Sequence, residues 1–441
     1  MGEYTIEDLR GRTRGPVLTS SDEAYEEARK VRNGMIDKHP RVIVQCMNAG
    51  DVMAAVDFAA TNELDLAVRG GAHSVPGFGT CDDGVVADLS GIRNVRVDPM
   101  AQTARAGGGA TWGDFNAATH AFGLATTGGI ISTTGVGGLT LGGGIGYLAR
   151  GLGLSCDNLI SADVVTADGR FLIASDKENE DLFWALRGGG GDFAVVTALE
   201  LELYPVPTMY GGRVIWPDHR TREVYDAFLE ITAEAPRELS VWINRLQPPG
   251  ASPMVTLDLA YLGEAAQGED LLARLDKIEG PISDSRGVVP VAELGDITAE
   301  PTDPAPTITR AELLTGLDTD AVELLLAKPV EPLISMQIRH LGGALSEPGG
   351  GAGASGAVAE PYLLGLLGLG LPHVADATRA KQAEVVADLE AYISGRKPYT
   401  LLSPGETAAK SFSGSALARL REIKRARDPH NVFRANYPVL V

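Results

Sequence analysis

Gly135-Val136-Gly137-Gly138-Leu139-Thr140-Leu141-Gly142-Gly143-Gly144-Ile145-Gly146 is the stretch on which the fold turns. Seven of its twelve residues are glycine. Each glycine costs about 1 kcal/mol in a helix interior relative to alanine, so a helix is not expected here. The reading is a loop whose backbone passes a flat or extended ligand at contact distance, against the alternative of a purely structural glycine loop. The stretch satisfies neither G-x-G-x-x-G in register nor G-x-x-x-x-G-K-[ST], so it supports neither a dinucleotide-binding Rossmann unit nor a P-loop. With no strand–glycine–helix unit followed by an acidic residue, a nicotinamide dehydrogenase is disfavoured.

Two more glycine clusters flank it. Arg69-Gly70-Gly71-Ala72-His73-Ser74 follows an apolar strand, and its small residues let backbone N–H groups converge on an anionic pyrophosphate. Arg69 either adds charge there or pairs with a carboxylate. His73 either emerges beside the group that the phosphate carries or serves as a turn residue. The third cluster, Trp184 to Thr197, again places a strand directly after glycines.

The chain has 441 residues, enough for two or three domains. Its 54 glycines are about 12% of the chain, against a usual 7%, with no collagen-like period. Lys+Arg is 38 and Asp+Glu 58, a formal charge of −20 that disfavours nucleic acid and anionic membranes as partners. Cys46, Cys81 and Cys156 have no metal-ligand or CxxC spacing, so packing roles, a reducing compartment and no metal site are expected. The opening MGEYTIEDLRGRTRG lacks an apolar signal region, and the apolar run Tyr362–Leu371 is too short to span a bilayer. The expectation is a cytoplasmic protein without a membrane partner; the sequence leaves its oligomeric state open.

Apolar periodicity predicts helices over 51–63 and 111–122, and strands at 65–69, 84–89, 94–97, 103–106, 162–166, 170–174 and 194–204. Beyond 205 the glycine clusters thin. Strands are predicted at 211–216, 239–246, 254–262, 333–340 and 362–371, with amphipathic helices near 220–235, 264–278, 310–328 and 374–393. That order suggests an antiparallel sheet backed by helices, hence an α+β protein. Ser346–Val358 reads as a mobile surface loop, and the chain ends in a helix and DPHNVFRANYPV.

Together these pieces carry a resemblance. RGGAHS at 69–74, VVADLSGIRNVRVD at 85–98, GVGGLTLGGGIGYLARGLGLSCDNL at 135–159, VVTADG at 164–169, DLFWALRGGGGDFAVVT at 181–197, RHLGGA at 339–344 and DPHNVFRANYPV at 428–439 resemble the FAD-linked oxidases of berberine-bridge-enzyme-like architecture, within the vanillyl-alcohol-oxidase group. The resemblance implies a PCMH-type FAD-binding domain of two α/β subdomains, formed by residues 1–204 and a returning tail at 395–441. A substrate domain of residues 205–394 would lie between them. It implies FAD bound covalently through a single 8α-histidyl link at His73. The family's second, cysteinyl link falls on Ile131 here and is not expected. Cofactor contacts are implied for Arg69, Gly70, Gly71, Ala72, His73 and Ser74. They extend to Thr133, Thr134, Gly135, Gly137, Gly138, Leu139, Gly142, Gly143, Gly144 and Gly146, and to Asp157, Asn158, Val195, Val196 and Asn436. Thr134 holds the position that gates oxygen in the family, where a small side chain suits an oxidase.

Three departures stand out. Ala72 replaces a glycine, at little cost if its φ is negative. Asp192 replaces an asparagine and is expected to bond backbone rather than face the cofactor. The family's Tyr-x-Asn reads Tyr399-Thr400-Leu401.

The activity implied is hydride removal to flavin N5 from a carbon bearing a hydroxyl or amine, with O2 reduced to hydrogen peroxide. Tyr399 is the first choice of base, against a packing role for its phenol. Period-2 alternation offers Trp242 and Asn244, with Gln337 and Arg339, as one substrate-lining set; Ile338 and His340 point the other way, His340 as a structural histidine. The apolar strand at 362–371 disfavours a carboxylate base from that strand and favours an aromatic or polycyclic metabolite over an oligosaccharide. The alternatives are a dehydrogenase using another acceptor and a decayed flavin- or ligand-binding protein.

Overall fold

The computed structural model describes residues 4–434 apart from 348 and 350–352, together with 436–440. Val42–Gln45, a strand absent from the periodicity reading, pairs in parallel with Val85–Asp88, which pairs in parallel with Leu66–Arg69. Short runs of this kind, three apolar residues before one polar residue, are what a strand covered on both faces needs. The crossover helix Ala49–Thr61 is capped by Asn48, whose side chain accepts from the Asp51 N–H. A second, antiparallel sheet runs Val95–Asp98, Thr103–Gly107, Val195–Glu202, Leu159–Val165, Phe171–Ser175. Helix Trp112–His120 starts at a Thr111/Asp114 capping box, a signal present in the sequence itself.

The middle of the chain folds as an eight-stranded antiparallel sheet. Helices Thr221–Ala233, Thr319–Leu326 and Ala375–Asp388 back it: Val224, Phe228, Val322 and Val385 share one core with Ile243, Leu257, Ile338 and Leu364. Residues of opposite parity on the same strands are left to the other face. The α+β architecture is therefore as the sequence implies.

One helix is corrected. The expected helix 310–328 is a strand, Thr307–Leu314, followed by the shorter helix Thr319–Leu326. The strand is one edge of the sheet and pairs with Tyr362–Leu369 along its whole length. Tertiary pairing overrides the helical spacing of Ala311, Leu313 and Leu314.

The tail returns to the first half of the chain. Leu417, Leu420, Ile423, Tyr437 and Val439 share a core with Trp112, Phe115, Phe193 and Leu199, and Phe433 bridges in parallel to Leu66. The segment 346–358 lies partly outside the described residues, at 348 and 350–352. Its described end is packed rather than free: Ala354 and Val358 are buried.

Candidate functional site

Between the two halves lies a cleft of about 390 Å³. One wall is the Arg69–Ser74 loop with Thr134, Gly135, Gly138 and Leu139; the facing wall is the open face of the eight-stranded sheet; Thr400, Asn436 and Tyr437 close one side. Cross-strand register builds the sheet wall. Asn244 pairs with Gln337 and Trp242 with Arg339; Gln337 and Arg339 pair in turn with Gly365 and Leu363. Five of those six, Asn244, Gln337, Arg339, Leu363 and Gly365, line the cleft. Trp242 does not line it. It is buried, stacked on Tyr147 at 4.1 Å, and carries the Arg339 guanidinium over its ring at 4.3 Å. Ile338 faces the helices, and His340, bonded to Arg150 at 3.2 Å and held by burial at a pKa of about 3, is structural.

The glycine clusters divide by role. A Cβ on Gly71 would lie 2.1 Å from the Gly135 nitrogen, and one on Gly135 2.5 Å from the Gly71 nitrogen, so the two loops touch backbone to backbone. Gly142, Gly144 and Gly146 were expected against a ligand. Their missing side chains instead admit Thr400, the Ser155 side chain and the Gly128 carbonyl. Gly143, at φ +109, has Ser355 as its nearest neighbour, and Gly137 lies against the Gly108 carbonyl. Gly138 differs: nothing lies within 4 Å of an added Cβ, and it lines the cleft. The stretch is also not all loop. Val136–Leu141 is a six-residue helix, held by the packing of Val136 and Leu141 in the core rather than by propensity.

Ala72 has φ +58, not the negative value that would make it cheap. That conformation costs an L-residue about 1–2 kcal/mol. Glycine's greater freedom in the unfolded chain offsets about 0.4–1 kcal/mol of any gain. Ala72→Gly is therefore expected to stabilise the protein by up to about 1 kcal/mol, read as a small rise in thermal midpoint. A fall in midpoint would contradict it.

His73 lies 2.8 Å by Nε2 from the Thr133 hydroxyl and 3.4 Å by Nδ1 from that of Thr134. Burial, reinforced by Arg32, lowers its pKa to about 4, so the imidazole is neutral at pH 7. Ser74 donates to Asn436 Oδ1 at 3.1 Å, fixing the tail against the loop. Arg69 does not offer its charge: the guanidinium is bonded to buried Asp88 at 2.6 Å and to the Ala28 and Lys30 carbonyls. Asp157, Asn158, Val195 and Val196 do not line the cleft. Asn158 holds the Leu152 and Leu154 carbonyls and the Tyr204 hydroxyl, Asp157 caps the Leu154 N–H, and the two valines pair with Val165 and Val164.

Tyr399 borders the cleft. It is 6% exposed, its hydroxyl donates to the Tyr437 carbonyl at 3.2 Å, and its ring packs on Phe412. Burial, with Asp192 nearby, pushes the phenol well above its ordinary value, the wrong direction for a base. These contacts favour the packing alternative. Asp192 bonds backbone as expected, accepting from the Val439 N–H at 3.0 Å, and also meets buried Lys424 at 3.2 Å.

Sequence reasoning missed Glu300. It lines the cleft beside Arg339, and no hydrogen-bonding or ion-pair partner is found for it among the described residues. Burial raises its pKa, opposed by Arg339 and Arg213. It sits in a non-periodic connection after residues 291–297, so no motif marks it.

The residues fit FAD. Bare backbone at Gly138, the small-residue loop at 70–72 and a neutral histidine open one wall of the cleft, with a polar face opposite. A family profile described as an FAD binding domain matches residues 40–175. An FAD-linked oxidoreductase of Dictyostelium discoideum is 31% identical over 96% of this chain and 94% of its own. The crystal structure of 6-hydroxy-D-nicotine oxidase from Arthrobacter nicotinovorans is similar at TM-score 0.87 and 26% identity, covering 97% of this chain and 98% of the other. A BBE-like protein of Physcomitrella patens shares the fold at TM-score 0.85 and 20% identity, covering 99% of both chains.

Proposed function

Given that the chain belongs to the FAD-linked oxidoreductases, we propose that it is an oxidase that takes hydride from a carbon bearing a hydroxyl or amine and delivers the electrons to O2 as hydrogen peroxide. Its substrate is a small, largely apolar molecule, aromatic or polycyclic. The observation that carries this reading is the cleft in which the His73 loop faces a wall of Asn244, Gln337, Arg339, Leu363 and Gly365. Residues 1–204 and 395–441 are read as the cofactor domain and 205–394 as the substrate domain. Bound FAD supplies the hydride acceptor and the route of electrons to O2.

The chain's own residues do the remainder. The neutral His73 imidazole has the free lone pair that a covalent bond to the cofactor requires, and Asn436 is positioned beside it through Ser74. Thr134, small and on the cleft wall, leaves room for O2. Asn244, Gln337 and Arg339 orient the substrate's polar end, while Leu363 and Gly365 form a flat apolar bed.

Glu300 accepts the proton of the reacting hydroxyl or amine at its carboxylate. Burial pushes its pKa up. Arg339, Arg213 and Arg32 pull it down, and Asp258 adds to the rise. Only the ionised form accepts a proton, so the rate is expected to rise with pH through that raised pKa and to be lost below it. Glu300→Gln should lower kcat by about 10²–10⁴-fold and abolish that limb. An unchanged pH profile in Glu300→Gln would remove Glu300 from this role.

The test of the reading is anaerobic. Purified yellow protein is mixed with hydroxylated and aminated aromatic and alicyclic compounds, with 6-hydroxy-D-nicotine first because one relative is named for it. Bleaching that air reverses with release of peroxide supports an oxidase. Bleaching that air does not reverse indicates a dehydrogenase with another acceptor. Protein that holds no flavin even after incubation with FAD sinks the reading.

A further inference from the structure

Among the described residues, the cleft contains one arginine whose charge no carboxylate neutralises by contact. Arg69 is paired with Asp88 and Arg310 with Glu312 at 2.9 Å, while Arg213, further along the same sheet face, is held by Asp258. Arg339 alone among these has no carboxylate within ion-pair distance among the described residues; its Nε donates to Gln337 Oε1 at 2.7 Å. That bond, with the Trp242 ring centroid 4.3 Å from the guanidinium carbon and Tyr147 stacked on Trp242, restrains the group. A guanidinium restrained in this way is preorganised for two-pronged recognition of an oxyanion. Glu300 attracts it only at longer range. Next to it the wall is apolar and flat: Leu363 lies opposite Arg339 in the register, and an added Cβ on Gly365 would meet only the Gln337 carbonyl, at 3.9 Å.

We propose that Arg339 is the specificity-determining residue of this cleft and that its substrate is a flat, largely apolar molecule carrying one acidic oxygen, a carboxylate or a phenolate, which the two terminal nitrogens of Arg339 bind. The proposal rests on the reading of the cleft as a substrate site and deepens it. Gln337 holds the guanidinium by its Nε edge and leaves the other edge for the ligand. The acidic oxygen anchors one end of the molecule, and its apolar body lies along Leu363 and Gly365.

The test uses the holoprotein as purified, with benzoate and its neutral counterpart benzamide as probes. Binding is followed by two signals: perturbation of the flavin spectrum and the change in tryptophan fluorescence as Arg339 shifts on Trp242. A charge-assisted contact of this kind predicts benzoate about 10- to 100-fold tighter than benzamide. Arg339→Gln should bring the two probes to equal affinity, and Arg339→Lys should restore part of the preference. Retained flavin content and an unchanged circular dichroism spectrum in Arg339→Gln tie that loss to the contact rather than to folding. Benzoate that binds no tighter than benzamide, that fails to bind, or that keeps its preference in Arg339→Gln overturns the proposal. If the protein holds no flavin, the functional reading fails, and the tryptophan signal still decides the role of Arg339.

Discussion

Lys424→Met is expected to destabilise the protein by about 3–5 kcal/mol, the usual cost of removing one partner from a fully buried ion pair. Lys424 is 0% exposed. Its ammonium meets Asp428 at 2.8 Å and Asp192 at 3.2 Å and donates to the Asp192 and Phe433 carbonyls at 2.7 and 2.6 Å. Three segments converge on that one nitrogen: helix Gly414–Arg427, the turn after Gly188–Gly191, and the tail that carries Asn436 and Tyr437 to the cleft. Methionine fills the volume but leaves two carboxylates in the interior without their cation. Asp428 retains the Val432 and Phe433 N–H donors and Asp192 that of Val439, which softens the loss without neutralising the charge. The thermal midpoint should fall by on the order of 10 °C. Lys424→Met combined with Asp428→Asn should recover part of that fall, because one buried charge is removed with its partner. A midpoint shift of a degree or two in Lys424→Met would show that the cluster does not hold the tail.

The reach of the sequence follows from how locally each feature is encoded. Strands Leu239–Leu246 and Leu333–His340 have the boundaries expected from their apolar runs, because period-2 alternation is written within eight residues. The same alternation put Gln337 and Arg339 on one face and Ile338 and His340 on the other. Which face met the cleft could be settled only by the helices that cover Ile338. Thr307–Leu314 looked helical because an edge strand's pairing partner lies far along the chain. Ala72 shows a subtler limit. Replacing glycine by alanine says nothing about the sign of φ, which the Arg32 N–H bonded to the Ala72 carbonyl helps to fix. The glycine run was read as ligand contact throughout, yet Gly71 and Gly135 are small because each faces the other, a relation that exists only once the loops meet. The surroundings of Tyr399 are equally non-local, since the direction of its hydroxyl depends on Tyr437. Glu300 has no local signature at all, because its environment is set by burial and by an arginine on another element.

His73→Ala is expected to abolish covalent flavin altogether. Protein precipitated with acid and washed should stay yellow in the pellet for the unmodified chain and turn colourless for the variant, with the colour moving to the supernatant. The physical case rests on the protonation state. With the imidazole held at a pKa of about 4 by burial, the neutral form dominates from about pH 5 upward, so attachment to FAD added to apoprotein should not vary with pH across the neutral range. It should fail progressively as pH drops through 4, where the lone pair is protonated. Thr133 and Thr134, at 2.8 and 3.4 Å, hold the ring against rotation, so Thr133→Val should slow attachment without preventing it. Loss of the electron-withdrawing substituent also lowers the flavin's reduction potential, and each fall of about 30 mV in a two-electron couple removes about 1.4 kcal/mol of driving force. The variant should therefore turn over more slowly even when saturated with free FAD, at an affinity that Asn436 and the Gly138 wall still support. A yellow pellet from His73→Ala would place the link on another residue. Colour in the supernatant for both proteins would leave a flavoprotein without a covalent link, and the slow turnover of the variant would then need a cause in packing rather than in potential.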